Sequence, residues 1–288
     1  LSARLDDKAI PRWRAVEVSK GSVLSFHGQV DGIRAYLAVA GGIDVPVVMG
    51  SHSTYVKAAI GGFQGRALKQ GDVVSVLPTS PDARFVPRGL PTGFEAPSYG
   101  ESHEIRAILG PQHASFTAEA IMEFWTTVYT ISMDSDRMGY RMVGPRIGHC
   151  DGPDIVSDGN PLGAVQVPGD GVPTVLMADR GTTGGYTKIA TVISRDIGRL
   201  AQAVPGQSVT FKGVTIEDAQ QLLRESEAVL AAIASDDGTV AVPAPPLSIM
   251  MDGEAFEVTS EDGRVLSGPR ALERAATVRR RKARATAD

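Results

Sequence analysis

The sequence predicts a mainly β protein with a few helices, arranged as two β-rich domains. Three observations carry that prediction. Glycine and proline are abundant, at 32 and 18 of 288 residues, so turns punctuate the chain often. Short runs rich in Val, Leu, Ile and Tyr recur between those turns. Strands and helices follow one another in mixed order, without the regular alternation of a doubly wound parallel sheet.

Taken in order, SVLSFHG (22–28), RAYLAVAGG (34–42) and DVVSVLP (72–78) read as strands, with a glycine-dense loop between the last two that holds at most a short helix at 54–60. VPRGLPTGFEAPSYGESHE (86–104) has the composition of a linker. It separates a first domain, 1–100, from a second, 101–262. EIRAILG (104–110) opens the second domain as a strand. SFTAEAIMEFW (115–125) reads as a helix capped by Thr117, with an apolar face through Ile121, Met122 and Trp125. TTVYTIS (126–132), GAVQVPG (163–169), PTVLMAD (173–179) and SVTFKGV (208–214) read as further strands. Ile189, Val192, Ile193, Ile197 and Leu200 fall at helical spacing and predict a helix over 188–203. TIEDAQQLLRESEAVLAAIA (215–234) gives the clearest helical signal. Thr215 and Asp218 form a box-like start, and Ala219, Leu222, Leu223, Val229 and Leu230 form one stripe. LSIMMDG and EAFEVTS predict a hairpin turning at 252–253, and 263–288 reads as a flexible tail ending in the basic RRRKARATAD.

Composition narrows the function. A net charge of −4 points to neither nucleic acid nor an anionic membrane surface as partner. No apolar run approaches the roughly 20 residues of a membrane span. One cysteine, Cys150, excludes an internal disulfide and fits a reducing, cytoplasmic setting. The opening LSARLDDKAIPRW carries neither an initiator Met nor a signal sequence, and reads as a start within a domain. The histidines at 27, 52, 103, 113 and 149 lack metal-ligand spacing, so no metal is expected.

Three polar, glycine-rich segments carry the chemistry. ADRGTTGGYTK (178–188) lacks the GK[ST] ending of a phosphate-binding loop. It could form an anion-holding nest before the 188–203 helix, or simply a tight turn. SDRMGYRMVGP (135–145) offers Arg137 and Arg141 for a carboxylate, or a local ion pair with Asp136. SDGNPLGAVQVPGDG (157–171) brings together Asp158, Asn160, Gln166 and Asp170. Carboxamides both donate and accept, which suits recognition of another amide, although Asp, Asn, Gly and Pro are also what turns use. Three such segments within about fifty residues suggest a common cleft.

The motifs RAYLAVAGGIDVPVVMGSHSTY (34–55), GRALKQGD (65–72), LGPQ (109–112), SDRMGYRMVGP (135–145), DIVSDGNPLGAVQVPGDG (154–171) and ADRGTTGGYTKIATVI (178–193) carry a resemblance. The chain resembles the allophanate hydrolase subunit 2 family, also called the KipA family or the 5-oxoprolinase C-subunit family, with a related domain in urea carboxylase. The resemblance implies two cyclophilin-like β-barrel domains. It implies a subunit that, with a KipI-like (allophanate hydrolase subunit 1) partner and a LamB/YcsF-like subunit, cleaves a small amide at the expense of ATP. Most directly that is 5-oxoproline to glutamate, with this subunit inactive alone. Two alternatives come with it. One is the carboxyltransferase half of a urea carboxylase, with biotin on another chain. The other is a regulator that binds a KipI-like inhibitor of a histidine kinase. Three positions depart from the usual family text: Gly181 stands for Gln, Thr187 for Pro and His52 for Arg. The family's usual opening segment does not occur in this sequence.

Within that resemblance, 135–141, 157–171 and 178–188 are expected to line one amide-orienting cleft. Asp179 would orient Arg180, and Arg137 would take a substrate carboxylate. Gln166 and the backbone of Thr182, Thr183, Gly184 and Gly185 would bond the amide. Lys188 or Tyr186 would stabilise charge on its oxygen. Tyr140, Asp158, Gly169 and Asp170 complete the expected substrate-binding set.

Overall fold

Alternating apolar residues become strands only where a neighbour accepts their backbone hydrogen bonds. The computed structural model describes residues 1–79, 85, 89–90 and 96–234, together with the backbone of 247–251, 254–259 and 277–280. In chain order the strands are β1 (Ser2–Leu5), β2 (Lys8–Ala9), β3 (Leu24–His27), β4 (Ser102–Leu109), β5 (Val128–Ile131), β6 (Gly139–Val143), β7 (Asp154–Gly159), β8 (Ala164–Gln166), β9 (Thr174–Leu176), β10 (Thr183–Tyr186), β11 (Lys188–Val192), β12 (Ser208–Gly213), β13 (Leu247–Met251), β14 (Glu254–Thr259) and β15 (Thr277–Arg280). The helices are α1 (Ala118–Thr126), α2 (Ser194–Gln202) and α3 (Ile216–Ala234). None of the described helices is long and apolar enough to cross a membrane. The chain divides into two units, Leu1–Ile33 with Pro87–Asp288, and Arg34–Val86.

The first unit holds a closed seven-stranded barrel in the order β11-β4-β12-β5-β6-β9-β8, with β8 pairing back to β11. The mainly β, barrel-containing fold expected from the sequence is therefore observed. Its pairs are antiparallel except β4 with β12, which run parallel from Ser102↔Ser208 to Ala107↔Gly213. The core lies inside and beneath α1 and α2. Phe124 of α1 stacks on Phe211 of β12 at 4.6 Å between ring centroids. Leu200 of α2 is also fully buried. Thr117 caps α1 by accepting the Ala120 N–H at 3.1 Å, as its sequence position predicts; such a cap contributes about 1 kcal/mol. The buried face of α1 carries Ala120 and Phe124, while Met122, expected there, is exposed. The carboxylate of Asp196, in the first turn of α2, accepts the backbone N–H of Arg106 at 2.8 Å and clasps its guanidinium, tying α2 to β4. That contact raises the pKa of Arg106.

The helix expected over 188–203 is the main correction. Residues 188–192 form β11, a barrel strand, and helix begins only at Ser194. The segment is β-branched, and four of its five residues are buried. A strand enclosed on both sides shows no alternation, so its apolar run mimics helical spacing. α3 forms as expected from its Thr215 start, whose hydroxyl accepts the Asp218 N–H at 3.1 Å, but none of its residues is buried.

In the second unit, RAYLAVAGG and DVVSVLP form no strands. Among the described residues they meet around an isolated Ile43↔Val76 bridge, with Asp44 N–H to Ser75 C=O and Leu77 N–H to Gly42 C=O at 2.9 and 3.0 Å. The loop between them holds a single 3-10 turn at Val56–Ala58, within the 54–60 allowed from sequence. The hairpin expected over 247–260 is present as β13 and β14, and β15 adds a third strand. Its turn at 252–253 and the tail beyond residue 280 lie outside the described residues.

Candidate functional site

The glycine-rich stretch is a strand. Residues 183–186 form β10, which pairs antiparallel with β7 as a separate two-stranded ribbon, Thr183 opposite Gly159 and Gly184 opposite Asp158. No helix follows directly, so the anion nest considered from sequence does not form. The glycines serve close approach instead. A Cβ on Gly184 would lie 2.6 Å from Asn160 Nδ2 and 3.2 Å from Gln166 Nε2. Real Cβ atoms do not come that near, so the ribbon can lie against these two carboxamides only with glycine there.

Those carboxamides form a directional chain. The Gly181 carbonyl can only accept, and Asn160 Nδ2 donates to it at 3.2 Å. Asn160 Oδ1 therefore faces Gln166, whose Nε2 donates to it at 3.1 Å. The Asn160 backbone completes the hub: its N–H bonds Thr182 C=O at 2.8 Å, and its C=O accepts Arg180 Nε at 2.8 Å. Both side chains are buried, so breaking one link strands a polar group. Gln166 is an expected site residue. Asn160, in the sequence one of several amide-bearing turn residues, proves to be the centre of the chain.

Beside this chain, β11 opens with Lys188, opposite Gln166 of β8. Its side chain is 1% exposed, and Nζ lies 3.7 Å from Asp158 Oδ2. At that distance the contact is an ion pair without a hydrogen bond, and no other group among the described residues bonds the ammonium. Gln112 braces the pair. Its Oε1 accepts the Lys188 N–H at 3.2 Å, and its Nε2 donates to Asp158 Oδ2 at 3.3 Å. The pKa of Asp158 is lowered, first by the Gly159 N–H, then by the positive charge of Lys188. Gln112 sits in the LGPQ motif, to which the sequence alone assigns no role.

A groove of about 220 Å³ runs alongside, lined by Asp134, Asp136, Arg141, Arg180 and Gly181 among others. Two expected roles change here. Asp179 holds Arg137 rather than Arg180, through two bonds of 2.8 Å. Arg137 is thereby engaged in the two-point pairing that a substrate carboxylate would require. Tyr140 is a core residue: it is buried, and its hydroxyl donates toward Ala201 and Ala203 C=O at 3.2 and 3.4 Å. Asp136 Oδ1 accepts the Met138 N–H at 2.7 Å, the local turn that such a residue makes readily. Asp170 stands 3.8 Å from Arg141, with both side chains exposed. Gly169 lies near Pro153, and Thr182, Thr183 and Tyr186 are exposed. Among the described residues no cluster of three His, Cys, Asp or Glu could hold a metal ion.

A closed barrel thus carries a carboxamide chain and a buried lysine beside a two-stranded ribbon. The family model for the carboxyltransferase domain, subdomain A and B, matches residues 1–213, and the chain belongs to that family. It is 39% identical over 226 residues to the C subunit of 5-oxoprolinase from Escherichia coli, covering 78% of this chain and 70% of that protein. It is 35% identical over 252 residues to urea amidolyase of Saccharomyces cerevisiae, covering 82% of this chain and 13% of that protein. The crystal structure of the K. lactis urea amidolyase superposes with a TM-score of 0.73 at 27% identity, over 89% of this chain and 17% of that one. The chain thus spans most of one relative and a small part of the others.

Proposed function

We propose that this chain is the C-type component of a heteromeric, ATP-dependent 5-oxoprolinase, which opens the lactam of 5-oxoproline to give glutamate. The observation that carries the reading is the fixed carboxamide chain Gly181–Asn160–Gln166 beside the Asp158–Lys188 pair. A lactam presents one N–H and one C=O. An aspartate held ionised accepts the N–H, and a carboxamide locked in one orientation discriminates amide from ester or acid. Arg180, anchored through Nε to Asn160, lines the adjoining groove. The identity to the C subunit of a 5-oxoprolinase supports the same reading.

The partners in this reading are a KipI-like subunit and a LamB/YcsF-like subunit, acting together in the cytoplasm. ATP is used by the complex in this reading, and the glycine-rich segment 183–186 serves strand pairing rather than a phosphate cradle. The test is a coupled assay of ATP-dependent ring opening with the partner subunits present. Gln166→Ala and Arg180→Ala should each lower the rate by about 100-fold, as loss of a preorganised donor or positioning group does. Both variants leaving ring opening intact would sink the assignment.

The carboxyltransferase half of a urea carboxylase is the second reading, favoured by the family match and by the urea amidolyase relatives. Biotin would then arrive on another chain. Inhibition by avidin in the reconstituted system separates it from the first reading.

A further inference from the structure

Three acidic groups of the first unit meet cations in different ways. Asp196 is saturated by Arg106, through a backbone N–H and two guanidinium N–H groups. Asp179 is saturated by Arg137 through two bonds of 2.8 Å. Asp158 is only half committed. Its Oδ1 turns back into its own ribbon, bonded at 2.6 Å by the Gly159 N–H. Its Oδ2 faces Lys188 at 3.7 Å and Gln112 at 3.3 Å, both long, and its side chain is 55% exposed.

The lysine is in the opposite condition. Its Nζ is sealed and makes no hydrogen bond among the described residues, although a buried ammonium is stable only when paired and bonded. An ammonium and a carboxamide N–H converging on one carboxylate oxygen form a small carboxylate receptor. In this structure a side chain of the protein occupies it. The occupant rides on a ribbon that pairs with no other described strand, contains Gly159, Gly184 and Gly185, and slips register between Gly184 and Tyr186.

We propose that Lys188 and Gln112 form a binding site for the carboxylate of a small substrate, and that Asp158 is its exchangeable internal cap. An incoming carboxylate displaces Asp158 Oδ2 and gains the ammonium contact, and the released aspartate is left facing the ligand. This rests on the amide-cleaving reading above. It deepens that reading by assigning the residues that take the carboxylate of the anionic lactam, and it moves that contact from Arg137, engaged by Asp179, to Lys188.

The experiment is calorimetric binding to the purified chain of three probes: 5-oxoproline, the neutral lactam 2-pyrrolidinone, and propionate. Wild-type protein should bind 5-oxoproline more tightly than 2-pyrrolidinone. Lys188→Met and Gln112→Ala should each weaken 5-oxoproline by at least about tenfold, the scale of one hydrogen bond to a charged group, and weaken 2-pyrrolidinone far less. Asp158→Asn, which removes the competing charge at an exposed position, should tighten propionate by about tenfold. That variant carries the test if Lys188→Met does not fold. Equal 5-oxoproline affinity in wild type and Gln112→Ala, with propionate binding unchanged in Asp158→Asn, overturns the capped site and leaves the 5-oxoprolinase reading standing. Propionate binding that tightens in Asp158→Asn, with no binding of either lactam, keeps the site and overturns that reading.

Discussion

The barrel and the unit over residues 34–86 are stabilised by different physics. Among the described residues, the buried apolar core lies wholly between Ile105 and Phe211, whereas in the described part of 34–86 only Gly62 and Gly65 are buried. There, apolar side chains such as Tyr36, at 88% exposure, face solvent, and order comes from local polar brackets. Arg66 is the clearest. It reaches both oxygens of Asp72 at 2.7 and 2.9 Å, bonds Gln64 and lies over the Phe63 ring. The same Val- and Leu-rich composition gives a barrel strand in one region and irregular backbone in the other. Pairing partners, not composition, make the difference.

The largest test of this contrast is truncation of an aromatic residue in each region. Phe124→Ala should cost about 3–5 kcal/mol in urea unfolding, through lost burial and a cavity against Phe211. Tyr36→Ala should stay within about 0.5 kcal/mol. Comparable losses would show that the exposed tyrosine is buried in solution.

A smaller effect is expected at the junction of barrel and ribbon. Gly184→Ala must push the ribbon off the Asn160 and Gln166 carboxamides, at about 1–3 kcal/mol of overpacking, with ring opening impaired. A thermal melt and the coupled assay measure the two effects. Full activity would mean that the carboxamide chain does not need the ribbon.

The smallest effect concerns the bracket itself. The Arg66 guanidinium, followed by the Lys69 N–H, lowers the pKa of Asp72 to about 2. A depressed carboxylate contributes stability above its ordinary value near 4 and loses it as pH falls through about 2. The bracket should therefore open between about pH 4 and pH 2, followed by the Asp72 carboxyl signal in NMR. Arg66→Ala should return the midpoint to the ordinary range; an unchanged midpoint would mean that the pair does not persist in solution.

The same contrast explains which features are legible in the sequence. Thr117 and Thr215 announce α1 and α3 because capping is local. Strands β4, β5, β8, β9 and β12 are legible because turn residues bound them. β11 reads falsely as helix because a strand enclosed on both sides loses its alternation, and Ile197 and Leu200 of α2 extend the false helical period. RAYLAVAGG reads falsely as strand because a strand pattern cannot report whether a partner strand exists. At the site, the segments 157–171 and 178–188 are legible by composition. The pairings are not: Gln112 meets Asp158 across 46 residues and Lys188 across 76, and no local spacing encodes either.

The parallel pairing of β4 with β12 sets an order of events during synthesis. β4 begins at Ser102, yet both of its neighbours, β11 and β12, come from residues 188–213. Until residue 213 has left the ribosome, β4 lacks its full set of barrel partners and shows bare edges of backbone donors and acceptors. A nascent chain stalled or truncated within 110–187 would carry β4 with neither of its barrel neighbours in place. Premature termination in that window should therefore yield aggregates, and the shortest soluble fragment should extend past Gly213.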